Sequence, residues 1–402
     1  MIKQNLTIAV FLLHFLFLYS STTSASETPT TPLQWAKQLA DTIQTGSPEA
    51  WQMRKSDGKY RWGYTQGLVL KGFLSINDIE PTKRYVDYTK AYLDHYIDKD
   101  GNIATYQMDK FNIDSINSGK LLFYIYESTS DEKYFKALQT LKKQLDWHPR
   151  TRSNVFWHKR IYPWQIWLDG LYMATPFYAE YDKKFDKSKN TADIIHQFEE
   201  SYKQLLNKKN GLLYHGYDES HIQSWSNPET GLSEEYWARA LGWYAMALVD
   251  TVEHIEKKKD RKKLESIIKK LFPAILKYQD ANSGLWYQVI DKAGEQDNYL
   301  ESSASAMFIY SFHKAHRLGI VDAKFKASAE KAFKGFTQEK HLTFDKATGK
   351  VELHNICRSA GLGGHPYRDG SYNYYVREAE KVSNDAHGLG AMLLALVELA
   401  TK

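Results

Sequence analysis

The chain has 402 residues, 53 Lys and Arg against 48 Asp and Glu, and a formal net charge of +5. So mild an excess speaks weakly for an anionic ligand and does not fit a nucleic-acid binder. The one cysteine, Cys357, excludes an intrachain disulfide, so stability must come from the core.

The first residues read as a secretory leader. Lys3 supplies the positive charge, the run from Ile8 to Tyr19 an apolar core, and Thr23, Ser24 and Ala25 a small-residue cleavage site. Cleavage after Ala25 removes one lysine and no acid, taking the charge to +4 (52 − 48). The apolar run is too short to span a bilayer, and no later stretch approaches the roughly 20 apolar residues a span needs. Residues 26–402 are therefore expected as one soluble, exported domain without a membrane span. Export without disulfides fits a bacterial periplasm or cell surface. Aromatics make up 14% of the chain, with 28 Tyr and 11 Trp, and aromatic platforms in carbohydrate clefts are one common cause.

Downstream, apolar spacing predicts twelve helices, at 33–46, 64–78, 82–98, 112–128, 131–146, 164–182, 187–206, 234–257, 260–280, 299–317, 321–336 and 383–401. Those at 234–257, 299–317 and 383–401 are rich in small and aromatic residues, whereas 187–206 and 260–280 carry many lysines and read as amphipathic surface helices. The alternation suggests an inner ring wrapped by an outer one. Between helix pairs an element recurs: Asp or Asn, then Gly, then strand-like aromatic residues. It stands at Asp98–Gln107, Asn207–Asp218 and Asp280–Asp291, about 110 and 73 residues apart, with a fainter copy at Asp345–Leu353. Repeated helical hairpins without polar capping repeats favour a closed all-α barrel of six hairpins, an (α/α)6 toroid.

Such a ring gathers the starts of its inner helices at one face. Asp169, in the aromatic stretch from Trp157 to Ala174, lies near the start of 164–182, with His158, Lys159 and Arg160 just upstream. Aromatic faces suit pyranose rings, and a carboxyl group among apolar neighbours keeps its proton longer, as general acid catalysis requires. A helix-dipole aspartate is the plain alternative. Asp114 opens 112–128, as a second carboxylate or as an N-cap. His215 precedes 234–257, on which Trp237, Arg239 and Trp243 lie; the arginine suits a uronate carboxylate, and core packing is the competing reading. No HExxH, Cys pair, GxSxG or P-loop sequence is present, so neither a metal nor another cofactor is called for. The glycine-rich 361–375 segment reads as a rigid aromatic loop at the pocket rim.

These motifs together, WLDGLYMA at 167–174 with HKR upstream, EYWARALGWYAMAL at 235–248 and GGHPYRDGSYNYYV at 363–376, resemble glycoside hydrolase family 105, relatives of the family 88 unsaturated glucuronyl hydrolases. The resemblance runs from Trp62 to the last helix and implies an (α/α)6 barrel. It implies Asp169 as catalytic acid, Asp114 as the second active-site carboxylate, and His158, Lys159, His215, Trp237, Arg239 and Trp243 as substrate contacts. Tyr64 in RWGYTQG is the implied amino-terminal aromatic contact, with Trp62 its rival. The implied substrate is an oligosaccharide ending in a 4,5-unsaturated uronate, of rhamnogalacturonan or ulvan type. Two other readings stand beside it. A sugar epimerase or isomerase on the same toroid would need paired histidines, of which only His215 has a clear position. A non-catalytic glycan-binding protein would keep the aromatics and tolerate loss of Asp169.

Overall fold

The structure, a computed structural model, describes residues 27–53 and 59–401; the leader expected at 1–25 lies outside them. Among the described residues there are twelve α-helices: α1 (Pro32–Gly46), α2 (Tyr64–Ile79), α3 (Lys83–Tyr96), α4 (Lys120–Thr129), α5 (Glu132–Trp147), α6 (Leu168–Phe185), α7 (Thr191–Leu205), α8 (Ala238–Val252), α9 (Lys258–Leu276), α10 (Ser302–Arg317), α11 (Ala323–Gln338) and α12 (Ala386–Ala400).

The even-numbered helices form a closed inner ring. α2 packs on α12, α12 on α10, α10 on α8 and α8 on α6; α6 meets the 3-10 turn Ile113–Gly119 leading into α4, which returns to α2. The odd-numbered helices wrap this ring: α1 lies on α12, α3 on α2, α5 on α4, α7 on α6, α9 on α8 and α11 on α10. This is the (α/α)6 barrel. Small residues let the inner helices close. A Cβ on Gly72 of α2 would stand 2.6 Å from Leu393 of α12, and one on Gly242 of α8 would stand 2.8 Å from Met307 of α10. The outer helices bury one stripe each. In α9 that stripe is Leu264, Ile267, Ile268, Leu271, Phe272 and Ile275, each contributing about 1.5–3 kcal/mol on burial.

The recurring element is one turn made four times. The backbone N–H groups of Gly101, Gly211, Gly284 and Gly349 donate to the carbonyls of Asp98, Asn207, Asp280 and Asp345 at 3.0, 2.8, 2.9 and 2.7 Å. Each of those four acidic or amide residues in turn donates its own N–H to the residue after the glycine. All four glycines have φ between 71° and 82°, a left-handed conformation that a side chain would strain. The turns follow α3, α7, α9 and α11, so each redirects the chain from an outer helix toward an inner one.

Several helix starts differ from expectation, and three of them bear on the site. The segment 112–128 opens as the 3-10 turn, 164–182 opens as the strand β1 (Gln165–Trp167), and the helix expected from 234 begins at Ala238. In the last two cases residues ahead of the helix make extended pairings: β1 with β2 (Gly216–Asp218), and Trp237 with Val289. Helical periodicity cannot reveal partners distant in sequence.

Candidate active site

Backbone pairing brings the first candidates together. Trp167 of β1 stands opposite Gly216 of β2, and Leu168 N–H donates to the carbonyl of His215 at 3.1 Å. His158 N–H donates to Gln165 at 2.9 Å, Ile113 N–H donates to His158 at 3.3 Å, and Asn112 bridges to Lys159. Three loops thus lie side by side and carry Asp114, His158, Lys159, Asp169 and His215 to one place.

Asn112 settles the capping question: its side chain accepts the N–H of Asp114 at 3.1 Å, so Asn112 caps the turn. The Asp114 carboxylate pairs instead with Lys159 Nζ at 2.6 Å and lies 3.6 Å from His158 Nε2. Burial drives the His158 pKa down to about 3, so the ring is neutral and this contact is not an ion pair. His158 stacks on Trp167 with centroids 4.3 Å apart, and Trp167 stacks on Tyr162 at 4.9 Å. A Cβ on Gly170 would stand 3.3 Å from His158 Nδ1, a tight approach beside Asp169.

Asp169 sits in the first turn of α6, where the helix dipole is positive. Its Oδ2 lies 3.3 Å from His215 Nε2, outside hydrogen-bond geometry; both atoms are buried and have no hydrogen-bond partner among the described residues. His215 Nδ1 meets the Tyr375 hydroxyl at 2.6 Å. Burial, with Asp169 among the charges adding to it, holds the Tyr375 phenol well above its ordinary pKa. The neutral phenol can donate to Nδ1 or accept from it; where it donates, the proton of a neutral His215 ring is on Nε2, facing Asp169. Two histidines, not His215 alone, therefore flank the carboxylates.

Above Asp114 opens a cavity of about 430 Å³, lined in part by Trp62, Tyr64, Asp114, Lys159, Asp385 and His387. Trp62 and Tyr64, treated as rivals above, both line it. The Trp62 indole is fixed by a 2.8 Å bond to the Ser115 carbonyl. The Tyr64 hydroxyl lies 2.6 Å from His387 Nε2, and His387 Nδ1 lies 2.5 Å from Asp385 Oδ1. Burial raises the Tyr64 pKa well above its ordinary value, Asp114, Asp169 and Asp385 add to the rise, and Arg239 opposes it. The sequence reading missed Asp385 and His387, although they stand at the start of inner helix α12, where that reading placed its other candidates.

Arg239 does not reach the cavity as expected. It is 1% exposed; its Nε donates to Ser303 Oγ at 2.7 Å, its Nη2 bonds the Cys357 carbonyl, and Glu301 lies 3.6 Å away. A buried protein carboxylate is thus its counter-ion. Trp237 and Trp243 are 2% and 1% exposed. Trp243 stacks on Tyr172 at 4.9 Å and meets Tyr64 edge-on at 6.3 Å, while Trp237 packs against His215 at 4.8 Å. These indoles support Tyr64 and His215 from within the barrel. At the rim, Arg368 of the 361–375 loop bonds the Gly363 carbonyl at 2.7 Å and the Tyr162 hydroxyl at 2.9 Å, pinning the loop to the stack that ends in His158. Among the described residues no group of three or more His, Cys, Asp or Glu is arranged to hold a metal, and no helix is long and apolar enough to cross a membrane.

The profile of the family described as Glycosyl Hydrolase Family 88 matches residues 35–402. A solved family 105 glycoside hydrolase of C. acetobutylicum ATCC 824 is similar at 45% identity and TM-score 0.86, over 91% of this chain and 99% of that one. A protein of Agrobacterium fabrum is 39% identical over 231 residues, 56% of this chain and 97% of that protein. The unsaturated rhamnogalacturonyl hydrolase YesR of Bacillus subtilis is 24% identical over 254 residues, 61% of this chain and 69% of that protein.

Proposed function

The chain belongs to the glycosyl hydrolase family 88 and 105 group, and on that premise we propose that it removes the 4,5-unsaturated uronic acid from the non-reducing end of lyase-generated oligosaccharides. One observation carries the reading: Asp114 and Asp169, with side chains 13% and 14% exposed, each face a histidine, at a spot built by three hydrogen-bonded loops.

The uronate left by a polysaccharide lyase is a vinyl ether, its ring oxygen attached to the C4=C5 double bond. Asp169 gives a proton to C4, the alkene electrons form the new C–H bond, and the ring oxygen stabilises the cation at C5. Water then adds at C5 and loses a proton to Asp169 or Asp114. The resulting hemiketal opens to a ketone at C5, and the exposed C1 hemiacetal expels the aglycone sugar. Because protonation is on carbon, the carboxylate-spacing rule for stereochemical outcome does not apply. Lys159 holds Asp114 in place, and His215 fixes the edge of the site beside Asp169.

Unsaturation erases the C4 stereocentre that separates galacturonate from glucuronate, so selectivity lies on the aglycone side. Rhamnogalacturonan and ulvan fragments are the leading candidates. The leader-like residues 1–25 support a periplasmic or cell-surface location. The test is to mix the protein with lyase-digested rhamnogalacturonan, ulvan or glycosaminoglycan and follow ultraviolet absorbance. Decay on one of these substrates is the expected result. Persistent absorbance despite measurable binding would favour a capture protein.

A further inference from the structure

We propose that Asp385 and His387 form, through Tyr64, a proton relay that serves the water-addition step; this rests on the hydration reading above. The chain of contacts is short and ordered. Asp385 Oδ1 meets His387 Nδ1 at 2.5 Å, and His387 Nε2 meets the Tyr64 hydroxyl at 2.6 Å. All three residues line the same cavity as Asp114.

Each proton can be assigned. Burial works to raise the Asp385 pKa, but His387, the hydrogen bonds from it and the charge of Arg239 outweigh burial and hold this carboxyl below its usual range. Asp385 is therefore an ionised acceptor, which places a proton on His387 Nδ1; in the neutral ring Nε2 then accepts from the Tyr64 phenol. Asp385 also caps α12, accepting the His387 N–H at 3.0 Å. A cap alone would not require the imidazole to turn toward Tyr64, nor Tyr64 to sit in the cavity wall.

The step balances without any external reagent. In place of either aspartate, Tyr64 takes the proton of the water: as water forms its bond to C5, one of its protons passes to the Tyr64 oxygen, and the Tyr64 proton passes to His387 Nε2. The imidazolium so formed is paired with Asp385. Return of that proton to the solvent, with uptake of another by Asp169, resets the site. Tyr64 touches the reacting water; His387 and Asp385 are positioning residues that act through it, much as an Asp orients the His of a hydrolytic triad.

The experiment compares wild type with His387→Gln, Tyr64→Phe, the double variant and Asp385→Asn on an unsaturated disaccharide. His387→Gln keeps a group able to accept from Tyr64 but cannot take up a proton. It is expected to lower kcat by about 10²-fold with KM within about threefold, and Tyr64→Phe to do the same. The double variant should be no slower than either single one. Charged groups around the phenol are Asp114 of the 3-10 turn, Asp169 of α6, Arg239 of α8 and Asp385 at the entry of α12, with Lys159 paired to Asp114. All persist in His387→Gln, so a fall in kcat at unchanged KM in that variant belongs to His387 itself. Circular dichroism and the unchanged KM separate this from misfolding. If His387→Gln keeps the wild-type kcat while wild type hydrates the alkene, the relay is overturned and the hydrolase reading stands. Wild type without turnover on any unsaturated substrate overturns both.

Discussion

Lys120, the first residue of α4, is buried, and its Nζ has no hydrogen-bond partner among the described residues. The amine lies 3.6 Å from the centroid of the Tyr172 ring, and burial pushes its pKa down to about 7. Between that value and an ordinary lysine pKa of about 10.4, the unfolded chain binds a proton that the folded chain does not. Stability from this group therefore rises with pH across that window, and the penalty is fully present below it. Lys120→Met should stabilise the protein by roughly 1–3 kcal/mol at neutral pH, and should flatten the rise of the urea midpoint between about pH 7 and 10. At this scale Asp169, Asp114 and His215 were legible because they stand just ahead of, or at the start of, inner helices, whereas Tyr64 was legible only through the family resemblance. Arg239 and Trp243 share that region, yet α8 is surrounded by protein on nearly every side. Sequence spacing separates helix faces, but it does not tell a cavity wall from a core when both faces are apolar.

Among the elements, the closest approach that serves the site is between α2 and the 3-10 turn. A Cβ on Gly67 would lie 2.4 Å from Ser118 Oγ and 2.8 Å from its Cα, so backbone would have to move. Ser118 Oγ donates to the Gly63 carbonyl at 2.8 Å, one residue before Tyr64, and Asp114 lies on the same turn as Ser118. Gly67→Ala should cost about 1–3 kcal/mol in urea unfolding and lower turnover by parting Tyr64 from Asp114. An unchanged midpoint would show that the two elements are not held this tightly. The helices were legible through their period, and the four Gly turns through their spacing, since a left-handed residue leaves a chemical mark in the sequence. The β1–β2 pairing was not legible. Three-residue strands carry no periodic signal, and their partner lies about 50 residues away.

For the molecule as a whole, acid is the expected weakness. Burial depresses the pKa of His148 and His341 to about 4 and of His158 and His254 to about 3. As pH falls from about 6.5, the unfolded chain binds these protons and the folded chain resists them, so stability drops until the folded pKa values are reached. Asp193 and Asp385, held below their usual range, extend the loss below about pH 4, while Glu180, raised by burial, pulls the other way. The urea midpoint should therefore fall steadily from about pH 6.5 to 4. A flat midpoint would mean that the histidines are accessible.

The central claim is that the Asp169 carboxyl hands its proton to an alkene carbon, and Asp169→Asn tests it most directly. The amide keeps the shape of the side chain but has no acidic proton to give. With an unsaturated disaccharide the variant should fold and bind as wild type does, while ultraviolet absorbance stays constant and the rate falls by about 10³-fold or more. Decay of that absorbance at close to the wild-type rate would contradict the account.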